Sequence, residues 1–292
     1  MDTPGKRLRQ LIRQEGLARA MSAHSPLSAK LVEEANFDAI WASGFELSAL
    51  YGLPDVSLVT MTQHLDMVRA MAGHCGLPIV ADIDTGFGNA LNVLYAVREY
   101  EKAGVAALVI EDKTFPKVTS LIAEGRQDLV RLEEFQGKID AARSARADAD
   151  LMIIARTEAL IAGLGQDEAL RRARAYEEAG ADMILVHSKQ KTPDEIEAFV
   201  RAWKGSVPIV LVPTAYPAMT EKRIRALDGK VGLVIYGNHA IRAAVGAMQK
   251  TFAMIRAEGG IEGADREIAT VEEIFRLQGM DRVKTDEKRF LK

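Results

Sequence analysis

The segment AALVIEDKTFPKVTS, residues 106–120, decides how the chain is interpreted. Residues 106–110 form an apolar run typical of a buried strand, and residues 111–120 combine carboxylates, ammonium groups, hydroxyls and a proline. A buried core does not tolerate so many polar groups together, so the segment predicts a strand that ends at a functional site. Taken alone, the polar part is better explained as an ordinary loop after a strand, and the rest of the chain decides between these interpretations.

Seven further apolar runs have the length of strands and alternate with helical patterns. They are residues 17–21, 38–41, 78–83, 151–155, 182–186, 207–212 and 231–236. The intervening segments, such as residues 166–178, repeat apolar side chains about every 3.6 residues, as the helices of βα units do. Eight such units predict an α/β fold, the (β/α)8 TIM barrel, because a doubly wound open sheet usually has fewer strands.

Polar side chains follow nearly every apolar run at its C-terminal end, and they distinguish a barrel from an open sheet. They are Trp41 and Ser43, Asp82 and Asp84, Glu111, Arg156 and Glu158, His187, Thr214 and Asn238. In a barrel all these strand ends meet at one mouth, whereas in an open sheet several would lie too far apart to cooperate. The pattern therefore favours a barrel with one site at its mouth.

The helical patterns outside the barrel units predict the domain organisation. We expect a single domain over residues 1–292, with an amphipathic helix at 3–14 covering the barrel floor and the barrel at about 15–258. A helical extension follows at about 262–292. Its helix near residues 270–277 is surplus to a barrel, so we expect a neighbouring subunit to bury its apolar face. The last ten residues are mostly charged, and we expect them to fray.

Composition narrows the class of partner. A net charge of −3, with 27% charged residues, provides no basic stripe for nucleic acid or an anionic membrane. No apolar run approaches the roughly 20 residues of a membrane span. Cys75 is the single cysteine, and the first residues lack the apolar stretch of a signal peptide. These features predict a cytoplasmic protein that acts on a small molecule.

Three carboxylates at adjacent strand ends predict a metal site. Asp82 and Asp84 follow one strand and Glu111 follows the next, so all three face one point at the barrel mouth. Hard oxygen ligands in this number suit Mg2+, with Mn2+ or another divalent ion as the alternative. Each acid alone would more often be a loop cap or an ion-pair partner, and the combination carries the prediction.

Other strand ends supply candidate groups for an anionic substrate. In WASGF, residues 41–45, the backbone N–H groups of Gly44 and Phe45 can hold a carboxylate or an enolate oxygen, although a structural turn explains the glycine nearly as well.

Positive charge and proton-transfer capacity come from three residues on later strands and loops. Lys117, Arg156 and His187 supply positive charge or hydrogen-bond donors, and Arg156 needs an anionic partner such as Glu158, a metal-site acid or a substrate. His187 can give or take a proton at neutral pH, or serve as a hydrogen-bonded core histidine. Asp55 fits an ordinary turn equally well.

Five motifs in register resemble the phosphoenolpyruvate mutase and isocitrate lyase superfamily. They are WASGF, ADIDTGFGN, EDKTFPKVTS, IARTEALIAGLG and HS, and the resemblance covers about residues 15–258. Lyases of this superfamily carry a catalytic cysteine in a loop of the KKCGH type, but here that loop is KTFPKVTS, without cysteine. Mutases of this superfamily carry asparagine where this chain has Thr119. Its hydrolytic members carry threonine there, so the chain resembles the hydrolytic branch at this position.

The resemblance implies Mg2+-dependent hydrolysis of the P–C bond of 3-phosphonopyruvate to pyruvate and phosphate, through a metal-stabilised enolate, in phosphonate catabolism. It implies that Asp82 ligates Mg2+ directly while Asp84 and Glu111 hold its waters. The carboxylate and keto end of the substrate would contact Trp41, Ser43, Gly44 and Phe45. The implied catalytic residues around the phosphonyl end are Asp55, Lys117, Thr119, Arg156 and His187. Relatives close a mobile loop, here about residues 114–127, and form homotetramers as dimers of helix-swapped dimers.

Three other functions fit parts of the pattern. A phosphoenolpyruvate phosphomutase would interconvert phosphonopyruvate and phosphoenolpyruvate, and phosphorus NMR of the products separates it from a hydrolase. An oxaloacetate decarboxylase or acetylhydrolase would use the same metal enolate and turn over oxaloacetate. A phosphonate-binding protein without catalysis would bind ligand but release no product.

Overall fold

The chain forms a closed barrel of eight parallel strands, in a computed structural model that describes residues 2–120, 122 and 125–291. The strands are β1 (Ala18–Ala23), β2 (Ala39–Ala42), β3 (Ile79–Asp82), β4 (Ala107–Glu111), β5 (Met152–Thr157), β6 (Met183–Val186), β7 (Ile209–Leu211) and β8 (Val231–Tyr236). Each strand pairs with the next in the chain, and β1 pairs with β8 to close the barrel. The predicted (β/α)8 barrel is confirmed, with each predicted strand within two residues of its observed bounds.

Helices follow the strands along the chain. They are α1 (Pro4–Glu15), α2 (Pro26–Glu34), α3 (Gly44–Leu50), α4 (Met61–Ala72), α5 (Ala90–Lys102), α6 (Leu132–Ala145), α7 (Gly165–Glu178), α8 (Asp194–Ala202), α9 (Glu221–Arg225), α10 (His239–Glu258), α11 (Glu262–Asp265), α12 (Val271–Gln278) and α13 (Met280–Phe290). Several begin where a polar side chain accepts from the first turn, as Ser25, Thr60 and Asn89 do. These caps fix where α2, α4 and α5 begin.

Alternation along the strands divides the buried side chains between two cores. Residues such as Val80, Val109 and Ile154 point into the barrel, and their neighbours Ala81, Leu108 and Ile153 pack beneath the helices. Successive side chains of a strand face opposite sides, so each strand contributes to both cores. The barrel interior is therefore a packed core, and polar side chains are free to gather at its end.

Helix α1 closes the floor of the barrel, as its amphipathic pattern predicts. Leu8 is fully buried in the interior core, and Ile12 packs against the same cluster. Gly5 lies so close to β5 that a Cβ atom there would meet the carbonyl oxygen of Asp150 at 2.3 Å. This floor leaves the opposite end, where the strands finish, open to substrate.

The chain divides into two compact units, one ending at His239 and the other beginning at Ala240. Within the second unit, α13 covers most of the charged segment that we expected to fray. The expectation of one domain over residues 1–292 stays a prediction. Among the described helices, none combines the length and the apolar character that crossing a bilayer requires.

Candidate active site

A cavity opens where the barrel strands end, and most of its lining carries polar chemistry. It is lined by Trp41, Ser43, Phe45, Asp55, Asp82, Lys117, Thr119, Ser120, Arg156, His187, Val212, Thr214, Gly237 and Asn238. Nine of the twelve predicted site residues are among them. The other three, Gly44, Asp84 and Glu111, each contact a lining residue. The structure thus brings the predicted residues together, while their individual roles stay predictions.

The two predicted metal-binding aspartates lie beside the backbone of Gly44. The Gly44 N–H donates to Oδ2 of Asp82 over 3.4 Å. A Cβ atom at position 44 would lie 3.1 Å from Oδ1 of Asp84. A larger residue at position 44 would therefore be tight against the Asp84 carboxylate. The Gly44 N–H, expected to face substrate, donates to the Asp82 carboxylate.

The start of α3 contributes Ser43 and Phe45 to the cavity lining. The Ser43 hydroxyl accepts from the Glu46 N–H over 3.2 Å and caps α3. Ser43 and Phe45 both line the cavity beside Trp41, whose side chain is almost fully buried. The segment can therefore present polar backbone and an apolar wall to the same ligand.

Lys117 links two carboxylates at the cavity floor. Its Nζ lies 2.7 Å from Oδ1 of Asp84 and 3.0 Å from Oδ1 of Asp55. Burial alone would lower the pKa of Lys117, but Asp84, Asp55 and Glu111 outweigh burial and hold that pKa well above its ordinary value. Lys117 is therefore a permanent cation. Burial raises the pKa of Asp84, and the nearby Lys117 opposes that rise.

Glu111, the last residue of β4, faces Arg156 across the β4–β5 pairing. Nε of Arg156 lies 3.3 Å from Oε2 of Glu111. Burial nevertheless raises the pKa of Glu111 to about 7, because Arg156 and Lys117 only partly offset the loss of water. Glu111 can thus gain or lose a proton near neutral pH unless a further cation holds it ionised.

These acids can be tested for their fit to the predicted divalent cation. Within residues 2–120, 122 and 125–291, no group of three His, Cys, Asp or Glu side chains is arranged as a metal site. Asp84 forms an ion pair with Lys117, and Glu111 forms one with Arg156. Oε1 of Glu111 is buried, and no described residue forms a hydrogen bond with it. An all-oxygen, buried and under-bonded set of donors is what Mg2+ prefers, so the residues fit the ion.

Arg156 is the centre of a second charged cluster. Its guanidinium donates through Nε to Oε1 of Glu158 over 2.5 Å and through Nη2 to the Ser120 hydroxyl over 3.0 Å. Burial alone would raise the pKa of Glu158, but Arg156 and Lys113 hold that pKa well below its ordinary value. The anionic partner that the sequence required for Arg156 is therefore Glu158, assisted by Glu111.

His187 accepts a hydrogen bond from the same guanidinium. Nη2 of Arg156 lies 3.2 Å from Nδ1 of His187, and arginine can only donate, so Nδ1 is the acceptor. Burial lowers the pKa of His187, and the imidazole is therefore neutral at neutral pH. This contact assigns the proton of the neutral imidazole to Nε2, a buried atom that has no hydrogen-bond partner among the described residues. His187 is thus a neutral donor aimed at the ligand cavity that it lines.

Thr119 reaches the cavity from the segment after β4. Its backbone carbonyl accepts from Nε2 of Gln127 over 3.2 Å, and its neighbour Ser120 also lines the cavity. The loop that we expected to be mobile, residues 114–127, includes positions 121, 123 and 124, which lie outside the described residues. The movement of this loop stays a prediction.

Sequence reasoning did not single out three functional neighbours. The sequence predicts Ser120 and Lys113 only as members of a motif, and Glu158 only as a strand-end residue that can pair with Arg156. The spacing of Arg156 and Glu158 on one strand end was a usable signal, because alternate residues share a face. The position of Ser120 depends on how the loop folds back, and no sequence pattern reports that.

Comparisons with known proteins agree with this site. The family model for phosphoenolpyruvate phosphomutase matches residues 8–256. Phosphonopyruvate hydrolase of Variovorax sp. (strain Pal2) is 61% identical over 290 residues, which cover 99% of this chain and 100% of that protein. Phosphoenolpyruvate phosphomutase of Tetrahymena pyriformis is 43% identical over 284 residues, covering 97% of this chain and 94% of that protein.

A solved structure extends the likeness to the whole backbone. The crystal structure of phosphonopyruvate hydrolase in complex with oxalate and Mg2+ matches with a TM-score of 0.93 and 58% identity, covering 100% of both chains. Fold, strand-end chemistry and sequence identity therefore agree, and the chain belongs to the phosphoenolpyruvate phosphomutase family, within the phosphoenolpyruvate mutase and isocitrate lyase superfamily.

Proposed function

We propose that this chain hydrolyses the P–C bond of 3-phosphonopyruvate to pyruvate and phosphate, with Mg2+ as its cofactor. The observation that carries the proposal is the 61% identity, over nearly the whole chain, to a phosphonopyruvate hydrolase. The related crystal structure with oxalate and Mg2+ supports the choice of cofactor, since oxalate resembles the carboxylate and keto end of such a substrate. Thr119, in place of the asparagine of mutases, supports hydrolysis over transfer.

The cavity accommodates the two ends of this substrate on different residues. The carboxylate and keto end is placed at the turn formed by Ser43, Gly44 and Phe45, with Trp41 as an apolar wall. Ser43, Phe45 and Trp41 line the cavity beside Asp82, which supports this placement. The phosphonyl end is placed among the remaining polar lining residues, namely Asp55, Lys117, Thr119, Arg156 and His187.

Asp82 is proposed to hold Mg2+ directly, and Asp84 and Glu111 to hold its water ligands. When bound, the ion supplies a Lewis acid that draws negative charge from the keto end of the substrate. The protein's own contribution is to bring these three acids together as oxygen donors. Burial raises the pKa of Asp84 and Glu111, and the adjacent cations Lys117 and Arg156 oppose that rise and so favour the ionised carboxylates.

Breaking the P–C bond leaves an electron pair on the methylene carbon, which delocalises as pyruvate enolate. Negative charge also spreads over the phosphoryl oxygens in a loose transition state, so positioning and electrostatics supply most of the catalysis. Lys117 and Arg156 are both cations at the cavity and balance this charge. Little covalent help from the protein is needed.

A water molecule then completes the transfer by forming the new P–O bond. We place Thr119 beside this water, because its hydroxyl can both donate and accept and is smaller than an asparagine amide. The water loses a proton and the enolate carbon gains one, so protons balance. His187 is proposed to relay this proton. It lines the cavity, and its buried Nε2 has no hydrogen-bond partner among the described residues.

A phosphomutase is the second candidate, favoured by the family model and by the 43% identical relative. In that reaction the phosphoryl group returns to the enolate oxygen, and water must be kept out. Products distinguish the two reactions. The purified chain, incubated with phosphonopyruvate and Mg2+, should release phosphate and pyruvate in equal amounts.

Three further measurements complete that test. Phosphoenolpyruvate formation from phosphonopyruvate without phosphate would favour the mutase. Turnover of oxaloacetate in preference to phosphonopyruvate would contradict the proposal. Removal of Mg2+ with a chelator should stop phosphate release, and added Mg2+ should restore it.

The proposed assembly is a homotetramer, formed as a dimer of helix-swapped dimers. It is supported by exposed apolar side chains in the second unit, namely Val245, Met248, Phe252, Val271, Ile274 and Phe275. Such side chains are typical of a surface that another subunit covers. Light scattering after gel filtration should give about four times the chain mass of 31.9 kDa. The mass of a single chain would contradict this assembly.

A cytoplasmic location is also proposed. Cys75 is the single cysteine of the chain, so no intramolecular disulfide contributes to stability, as is usual in reducing compartments. Fractionation of cells that express the chain should recover it with cytoplasmic markers.

A further inference from the structure

Lys113 is a buried lysine that the proposed reaction does not use. Its side chain is 2% exposed. Its Nζ donates to the carbonyl of Val118 and to the hydroxyl of Ser120, both over 2.7 Å, and lies 3.3 Å from Oε2 of Glu158. An ammonium group has three donors, and here all three have acceptors.

Ser120 joins this lysine to the charged cluster of the cavity. Its hydroxyl donates to Oε2 of Glu158 over 2.5 Å and accepts from both Lys113 and Nη2 of Arg156. One hydrogen and two lone pairs are therefore all used, which leaves the hydroxyl a single orientation. A satisfied, buried network of this kind specifies one geometry.

The two partners of Lys113 in this loop stand on either side of Thr119. Val118 precedes Thr119 and Ser120 follows it, so the lysine holds the backbone before that residue and the side chain after it. The backbone on either side of Lys113 is itself held by hydrogen bonds to residues 128–130. The Thr114 N–H donates to the carbonyl of Asp128, and the Val130 N–H donates to the carbonyl of Asp112.

We propose that Lys113 is a positioning residue, which with Ser120 and Glu158 forms a latch that sets the place of Thr119 over the substrate. The proposal rests on the proposed function, because it assigns Thr119 the water that attacks phosphorus. A displacement of about 1 Å in a reacting group can lower a rate on the order of 100-fold, so a latch of this kind controls turnover.

The test is Lys113→Met, which keeps the length of the side chain and removes its donors. We expect kcat for phosphate release to fall on the order of 100-fold. Mg2+ should still bind without substrate, because Lys113 forms no hydrogen bond or ion pair with the three predicted metal acids among the described residues and acts on Glu111 only through its charge. Amide exchange should quicken at residues 117–120 and stay unchanged in β5.

Lys230→Met is the matched control. Lys230 also donates to backbone carbonyls, those of Val200, Arg201 and Trp203, but next to the start of β8, at the opposite end of the barrel. Its loss should lower stability without slowing turnover of the folded protein. If Lys113→Met lowered stability alone, with kcat and the exchange at residues 117–120 as in the parent chain, the latch would be refuted.

Ser120→Ala provides a second route if Lys113→Met does not fold. This change breaks the latch without leaving a carboxylate short of a cation. It should lower kcat comparably, and the double variant should be about as slow as either single variant, because both act through one network. Effects that multiply would refute a shared latch. A parent chain that releases no phosphate would refute the proposed function instead, and the exchange measurement would still decide whether Lys113 holds the loop.

Discussion

Nζ of Lys117 lies 2.7 Å from Oδ1 of Asp84, so a buried ammonium forms an ion pair with a carboxylate that is predicted to hold the water ligands of the metal. The same ammonium lies 3.0 Å from Asp55, on the other side. Lys117 therefore has two effects at once. In the proposed reaction it would provide charge for the phosphonyl end of the substrate, and its charge raises the local positive potential against a divalent cation.

Replacing Lys117 by Met should separate these two effects. Mg2+ binding should tighten about tenfold, equivalent to about 1.4 kcal/mol, because a nearby like charge is removed. Phosphate release should fall on the order of 100- to 1,000-fold, because a cation at the reacting phosphoryl group is lost. Calorimetry and a phosphate assay measure the two quantities. Lys102→Met, on the exposed face of α5, is the control, and weaker Mg2+ binding in Lys117→Met would contradict this interpretation.

Mg2+ affinity should depend on pH through Glu111, whose pKa burial raises to about 7. The cation favours the ionised carboxylate, so binding strengthens as pH rises through the pKa and weakens as pH falls through it. We expect affinity about tenfold weaker at about pH 6 than at about pH 8, with proton release on binding. Titration calorimetry in two buffers measures both. Glu111→Gln should flatten the dependence, and an unchanged slope in that variant would assign the proton elsewhere.

Thr119→Asn should convert a hydrolase toward a mutase. Asparagine is larger than threonine and lacks the hydroxyl proposed to orient water, so phosphate release should fall on the order of 100-fold. Phosphoenolpyruvate should then appear among the products. Thr119→Ser keeps the hydroxyl and should retain most of the hydrolysis. Undiminished phosphate release by Thr119→Asn would show that another residue orients the water.

Tyr176→Phe should destabilise the barrel without touching the cavity. The Tyr176 hydroxyl donates to Oδ2 of the fully buried Asp112 over 2.6 Å, beside Arg172. Removing that donor should lower the free energy of unfolding by about 1–3 kcal/mol. Urea denaturation measures the loss, and Tyr95→Phe on an exposed face is the control. Equal stability of the two variants would mean that the remaining donors, from Arg172, Thr157 and Glu158, satisfy Asp112.

The barrel could be predicted because its strands are short apolar runs separated by amphipathic helices, and each run ends in polar residues. The extension at about 262–292 could also be predicted to be helical, but the bounds of α13 could not, because its sequence MDRVKTDEKRF presents few apolar side chains to mark a buried face. Its charged composition equally fits a frayed end. Periodicity reports helices that bury a stripe, and it reports little of those that do not.

The candidate site divides in the same way. Asp82, Glu111 and Arg156 could be found because they stand at strand ends, and the fold brings strand ends together. The pairing of Glu111 with Arg156 follows from the β4–β5 register, which the sequence does not display. The contacts of Lys113 with residues 118 and 120 depend on a loop that folds back over its own strand. Such contacts depend on the folded path of the loop, which no local sequence pattern reports.

The central claim is that water attacks the phosphorus of 3-phosphonopyruvate at this site. Phosphorus NMR of the reaction in 18O-enriched water tests it directly, because 18O bound to phosphorus shifts the phosphate signal. We expect phosphate carrying one oxygen from solvent, formed together with pyruvate and without accumulation of phosphoenolpyruvate. Phosphoenolpyruvate as the main product, or unreacted phosphonopyruvate in the presence of Mg2+, would contradict the account.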